Sequence, residues 1–267
     1  MNVTILDASA WREFRGKPNN TGINETAHLA KIADTSGNLH DCFVKLLPLE
    51  YPSLLGEAIG WLLARSSDVN CVPYAAIVMV PLNELRKSIV LPKEFESLEY
   101  CPAWCCELLA GKSVRQIHKW AFWLSRHRCL HSIDARKIAA FDLWTDLRDR
   151  NFGNVIRVPG GGYVSIDHET ILHDLLWPPS GKIFYPHSLL DEACKNLSQA
   201  QLLKFKMEMV NAANKHASGL ANVRSSLADI INTIYPNLSA SLIPATLKLL
   251  EERAQTGWIA KILGVIG

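Results

Sequence analysis

The stretch from Asn154 to Asp167 constrains this 267-residue chain more than any other. Val155 to Val158 and Tyr163 to Ile166 are short runs rich in β-branched residues, separated by Pro159-Gly160-Gly161-Gly162. Such runs joined by a turn that only glycine accommodates fold back as a β-hairpin. A hairpin returns the chain to its start, so Asn154 and Asp167 are expected side by side at its open end. An amide oxygen and a carboxylate are hard ligands. Magnesium takes few protein ligands of this kind and completes its octahedron with water and phosphate, so Asn154 and Asp167 are candidate metal ligands.

A plainer reading competes with this one. Asp142, Asp146 and Asp149 recur at helical spacing and, taken alone, read as a solvated stripe at the end of a helix. It accounts for Asp142 and Asp146, which are expected to tolerate alanine, and leaves Asn154 and Asp167 unexplained.

Asp149-Arg-Asn-Phe-Gly-Asn154, followed by Ile166-Asp167-His168-Glu169, resembles the catalytic loop and metal-binding segment of HipA-like kinases, an atypical protein-kinase-like family related to the phosphatidylinositol kinases. Kinases carry an Asp, four residues, a magnesium-binding Asn, and a second magnesium-binding Asp beyond a hairpin. Both spacings are kept. Asp167-His168-Glu169 stands where Asp-Phe-Gly is usual, and Leu147-Arg148-Asp149 where His-Arg-Asp is usual; both departures suit the atypical families. The resemblance implies an α+β, two-lobed protein-kinase-like fold, with a small mixed β-sheet lobe over residues 1–110 and a mainly helical C-terminal lobe over 111–267. ATP would lie between the lobes with Mg2+, and Asp149 would be the catalytic residue that orients the acceptor hydroxyl.

The same resemblance assigns roles to residues that are ambiguous by themselves. Gly16 to Asn24 has loop composition, and in a kinase a loop here covers the phosphates, making Thr21 and Gly22 candidate nucleotide contacts and Thr21 a candidate for self-phosphorylation. After strand-like Ala27 to Ile32 and a turn at Asp34 to Asn38, Lys45 stands among Phe43, Val44, Leu46 and Leu47, where an ammonium needs a partner. Glu57, in a helix begun by Pro52-Ser53, is the expected partner, with Lys45 on the nonreacting phosphates. The alternative leaves Lys45 on an edge strand with its end in water. Ala75 to Val80 reads as a buried strand; the apolar run from Cys101 to Gly111 reads either as a plain core strand or, by the resemblance, as the connection between lobes, its hinge at Trp104 to Gly111 giving Glu107 as a nucleotide-binding candidate. From Ser113 the texture is helical; Ile171 to Pro186 reads as irregular and solvent-facing; Leu189 to Lys215 and Leu242 to Leu263 read as amphipathic helices.

Composition narrows the partners. With 28 basic and 26 acidic residues and no basic run, nothing in the charge points to nucleic acid or a membrane surface. The start lacks a signal-peptide pattern, and a cytoplasmic protein with seven reduced, mostly structural cysteines is expected. The reading at this level is an ATP- and magnesium-dependent Ser/Thr protein kinase acting on a protein substrate. Family habit adds a small antitoxin protein as partner. A kinase of small molecules or lipid headgroups, and a non-catalytic binding module on the same scaffold, are the alternatives.

Overall fold

A computed structural model describes residues 1–18, 24–117 and 121–265. In chain order it contains β1 (Thr4–Leu6), β2 (Trp11–Gly16), β3 (His28–Ala33), β4 (Leu39–Leu46), α1 (Ser53–Ser66), β5 (Ala75–Pro81), α2 (Leu82–Leu85), β6 (Tyr100–Glu107), β7 (Lys112–Ser113), α3 (Val114–Ile117), α4 (Phe122–Leu130) and α5 (Ile133–Thr145). There follow β8 (Val155–Arg157), β9 (Tyr163–Ser165), α6 (His173–Leu176), α7 (Leu189–Asn196), α8 (Gln199–Ala213), α9 (His216–Ile234), α10 (Ser239–Arg253) and α11 (Trp258–Leu263). The class is α+β. Two compact units divide the chain: a sheet unit of Asn2–Leu54 and Val72–Leu108, and a helical unit of Met1, Leu55–Cys71 and Leu109–Gly267.

The sheet unit is a six-stranded sheet in the order β1-β5-β6-β4-β3-β2, parallel only between β1 and β5. Asp34 makes the β3–β4 turn, its Oδ1 accepting from the amides of Ser36 (2.8 Å) and Asn38 (2.9 Å) as short polar side chains do in turns. Alternation along β4 sends Cys42, Val44 and Leu46 into an apolar cluster with Ala30, Ile32, Val78, Ala103 and Cys105. Burial pushes the Cys101 thiol up to about 12, which suits an inert packing cysteine. Phe43 and Lys45 take the opposite face of β4. Because β4 lies between β3 and β6, Lys45 is on an interior strand, and the edge-strand alternative is corrected. At one margin of the sheet, β2 pairs with β3 through two register shifts.

Most of α1 lies in the helical unit; it is mainly apolar, and every residue from Ser53 to Ala64 is buried, Glu57 included. Side-chain links join the later helices. Arg136 of α5 pairs with Glu208 of α8, Lys206 of α8 donates to the Leu263 carbonyl of α11 (3.0 Å), and Trp144 of α5 donates to the Leu250 carbonyl of α10 (2.9 Å). The amphipathic run from Leu189 is two helices, because the chain turns extended at Leu197 and Ser198 caps the second helix with Gln201 in a reciprocal capping box. The three-stranded sheet β7-β8-β9 contains the hairpin, in the register Val155 to Ser165 and Arg157 to Tyr163. Among the described residues no helix is long and apolar enough to cross a membrane.

Candidate functional site

The β8–β9 hairpin forms as its residues dictate, and its open end gathers the predicted ligands. The Ile166 amide donates to the Asn154 carbonyl (3.2 Å), so the two residues face each other across the ladder, and Asp167 is one step beyond. Asn154 is fixed further by its own amide. Its Nδ2 donates to the Asp149 carbonyl (2.9 Å), which turns its Oδ1 away from that bond as an acceptor for a cation. Asp167 is left-handed (φ 60°), a conformation uncommon outside glycine although Asp adopts it more readily than most, and here its surroundings help to hold it.

Those surroundings come from α1. The Glu57 carboxylate, nearly fully buried, accepts the backbone N–H of His168 (2.9 Å), and the His168 ring is hydrogen-bonded to Ser165 Oγ (2.8 Å). Gly56 and Gly60 let the segment approach. A Cβ on Gly56 would lie 2.2 Å from the Glu169 carbonyl oxygen, and one on Gly60 would lie 2.3 Å from the His168 Cβ. Glu57 therefore holds the segment that carries Asp167 directly, an arrangement that reading it only as a lysine partner missed; two glycines four apart in an apolar helix were the available signal.

The loop before the hairpin is built on Arg150, which is fully buried. Its guanidinium grips Asp142 through Nε (3.0 Å to Oδ2) and Nη2 (3.0 Å to Oδ1), while Nη1 donates to the carbonyls of Asn154 (3.2 Å) and Ile166 (2.5 Å). This overturns the solvated stripe: Asp142 is 1% exposed and ion-paired. Burial raises its carboxyl above the ordinary range, and the Arg150 charge and hydrogen bond oppose that rise. Asp146, the left-handed residue that ends α5 (φ 55°), is also engaged, near Arg148 (3.7 Å) and Arg253 (3.5 Å).

Asp149 is half-buried on this loop. Asn151 Nδ2 donates to its Oδ1 (3.2 Å), and the backbone around it pairs with His187: Arg150 N–H to the His187 carbonyl (2.9 Å) and His187 N–H to the Arg148 carbonyl (3.0 Å). Asp149, Asn154, Asp167 and Glu57 thus share the helical unit. Lys45 and Glu107 belong to the sheet unit, where they stand opposite Trp104 and Cys42. The amides of Glu107 and Leu108 are bonded to the Tyr74 (2.9 Å) and Asp41 (2.8 Å) carbonyls, so an adenine reading this strand needs other groups than those two N–H. Thr21 and Gly22 lie outside the described residues.

A second group of metal-type side chains is Asp146, His173 and Asp174, with ligand atoms within 4.8 Å of one another. Arg148 donates to Asp174 (2.6 Å), the Asp174 amide donates to Asp146 (2.9 Å), and His173 Nε2 accepts the Phe184 amide (3.0 Å). Arginines already balance those carboxylates. The donor set whose chemistry suits magnesium is the amide oxygen of Asn154 with the carboxylate of Asp167, both hard oxygen donors.

No protein-family model matches the chain, and no curated protein does. Among solved structures it is similar to the crystal structure of a Helicobacter pylori proinflammatory kinase, CtkA, with 11% identity and a TM-score of 0.45, over 93% of this chain and 98% of that one.

Proposed function

We propose that this chain is a phosphotransferase that moves the γ-phosphoryl group of ATP to a hydroxyl, with a protein Ser or Thr as acceptor. One observation carries the reading: the open end of the hairpin sets Asn154, its amide turned by the Asp149 carbonyl, one step from Asp167 in a left-handed conformation. Asn154 and Asp167 would hold magnesium, which when bound neutralises phosphate charge. Asp149 lies five residues before Asn154, on a loop fixed at both sides, and orients the acceptor hydroxyl and takes up its proton. Glu57 holds the backbone at His168 and so keeps the Asp167 carboxylate in place. The role of Lys45 on the nonreacting phosphates, and the choice of a protein acceptor, rest on the kinase resemblance of the sequence alone.

Thermal denaturation with ATP tests the reading. ATP with magnesium is expected to raise the melting temperature well beyond ATP with a chelator, since a ligand stabilises the state it binds. Equal shifts in the two would overturn the metal assignment, and no transfer of labelled phosphate to any protein in a cell extract would overturn the acceptor.

A further inference from the structure

We infer that the buried Asp142–Arg150 pair is a positioning device that sets the spacing of the two metal ligands. The inference takes the ligands from the proposed function, whereas the clamp itself is geometry. One nitrogen of Arg150, Nη1, holds the carbonyl of Asn154 and the carbonyl of Ile166, the residue immediately before Asp167. The ladder offers only one bond at that level, Ile166 N–H to the Asn154 carbonyl, and beyond it β8 and β9 are no longer paired. Arg150 thus ties the two ligand-bearing backbones where the sheet stops doing so.

Stability alone does not call for an ion pair here. A buried pair replaced by well-packed apolar residues is often neutral or stabilising, so what the ion pair adds is direction. The guanidinium fork uses one edge on Asp142 and the remaining nitrogen on the two carbonyls, a division that a lysine ammonium cannot make. Asp142 also cancels the charge of Arg150. Without it, an unbalanced cation would sit beside residues meant to hold another cation.

Two variants separate positioning from folding. The double variant Asp142→Leu with Arg150→Met removes both charges and both carbonyl donors while keeping an apolar filling; Arg150→Lys keeps the charge and loses the fork. Each is read by hydrogen exchange at the Ile166 amide and by the magnesium concentration at half-maximal ATP-dependent thermal shift. In the folded variants, exchange at Ile166 is expected to quicken at least about tenfold with α8 amides unchanged, and the magnesium midpoint to rise roughly tenfold, the lower end for partners of metal ligands. A folded variant with wild-type exchange at Ile166 overturns the clamp. Faster exchange with an unmoved magnesium midpoint overturns its role in metal binding. If the wild-type protein shows no magnesium-dependent shift, the proposed function fails, and the exchange result still judges the clamp.

Discussion

Alanine at Gly56 sets two effects of opposite sign against each other. In the interior of α1, Gly→Ala is favourable by about 1 kcal/mol on helix propensity alone. Against that, the new Cβ would stand 2.2 Å from the Glu169 carbonyl oxygen and 2.8 Å from its carbon, where ordinary contact begins at 3.4 Å. To restore ordinary contact the obstacle must retreat by 1.2 Å, from 2.2 to 3.4 Å. It is backbone, and it is tied at its neighbour by Glu57 and Ser165, so relief by a side-chain rotation is closed. Overpacking of this kind destabilises by about 1–3 kcal/mol, and the rigidity of the obstacle argues for the upper end. The net is a loss of about 2 kcal/mol, which for a chain this long lowers the melting temperature by roughly 4–8 °C. Because the retreating segment carries Asp167, the magnesium-dependent part of the ATP-induced thermal shift should shrink as well. Gly60→Ala, whose Cβ meets the His168 Cβ at 2.3 Å, should behave alike. Thermal denaturation of either variant, with and without ATP and magnesium, decides the matter. A melting temperature equal to or above that of the unchanged protein would show that helix propensity wins and that the close approach is not a constraint.

Other expectations concern single side chains. Asp149→Ala should leave ATP affinity within a few-fold while lowering phosphate transfer roughly a hundredfold or more, as for a positioned acid–base group; Asp167→Ala should weaken magnesium-dependent nucleotide binding too, and equal effects of both variants on binding would contradict their separate roles. Asp142→Ala leaves the Arg150 charge buried and unpaired, and should destabilise by about 3–5 kcal/mol in denaturant titration; a loss below about 1 kcal/mol would return Asp142 to a dispensable role. Burial against Trp144 (ring centroids 4.3 Å apart) pulls the His216 pKa from its ordinary 6.5 down to about 3. The folded state therefore keeps a neutral imidazole that the unfolded chain protonates below 6.5, so this stabilisation is complete above 6.5 and is lost as pH falls toward 3, by at most about 1.4 kcal/mol per pH unit. His216→Phe, which keeps a ring against Trp144, should flatten the decline of melting temperature between pH 6 and 4; an unchanged slope would refute the assignment.

The hairpin was legible because its information is local: β-branched runs and a Pro-Gly-Gly-Gly turn, with Asn154 and Asp167 at its two ends. The same holds for α1 and for the strands from β3 to β6. Asp142 was misread for a related reason, since helical spacing says which residues share a face but not whether another segment covers it. Its partner Arg150 lies beyond the end of α5, and only the turn at left-handed Asp146 brings the guanidinium back. Glu57 was found as a candidate on spacing, but its bond to the His168 amide spans 111 positions, and no local pattern encodes it. The split of the C-terminal run into α7 and α8 was readable in Ser198 with Gln201, whereas α9 went unrecognised although its apolar positions recur at helical spacing.

The two register shifts in β2 bear on how this protein behaves at high concentration. A flat terminal strand is a template on which another chain can add, and natural sheets discourage this with bulges, charges and short margins. Here the shifts fall between Trp11 and Glu13 and between Phe14 and Gly16, and Arg12, Glu13 and Arg15 place charge along the same strand. At the opposite margin β1 is only three residues long. Among the described residues, the six-stranded sheet of a chain with nearly half its residues hydrophobic thus shows neither margin as a long, even row of open amides and carbonyls, the kind of surface on which strand-by-strand growth into fibrils begins.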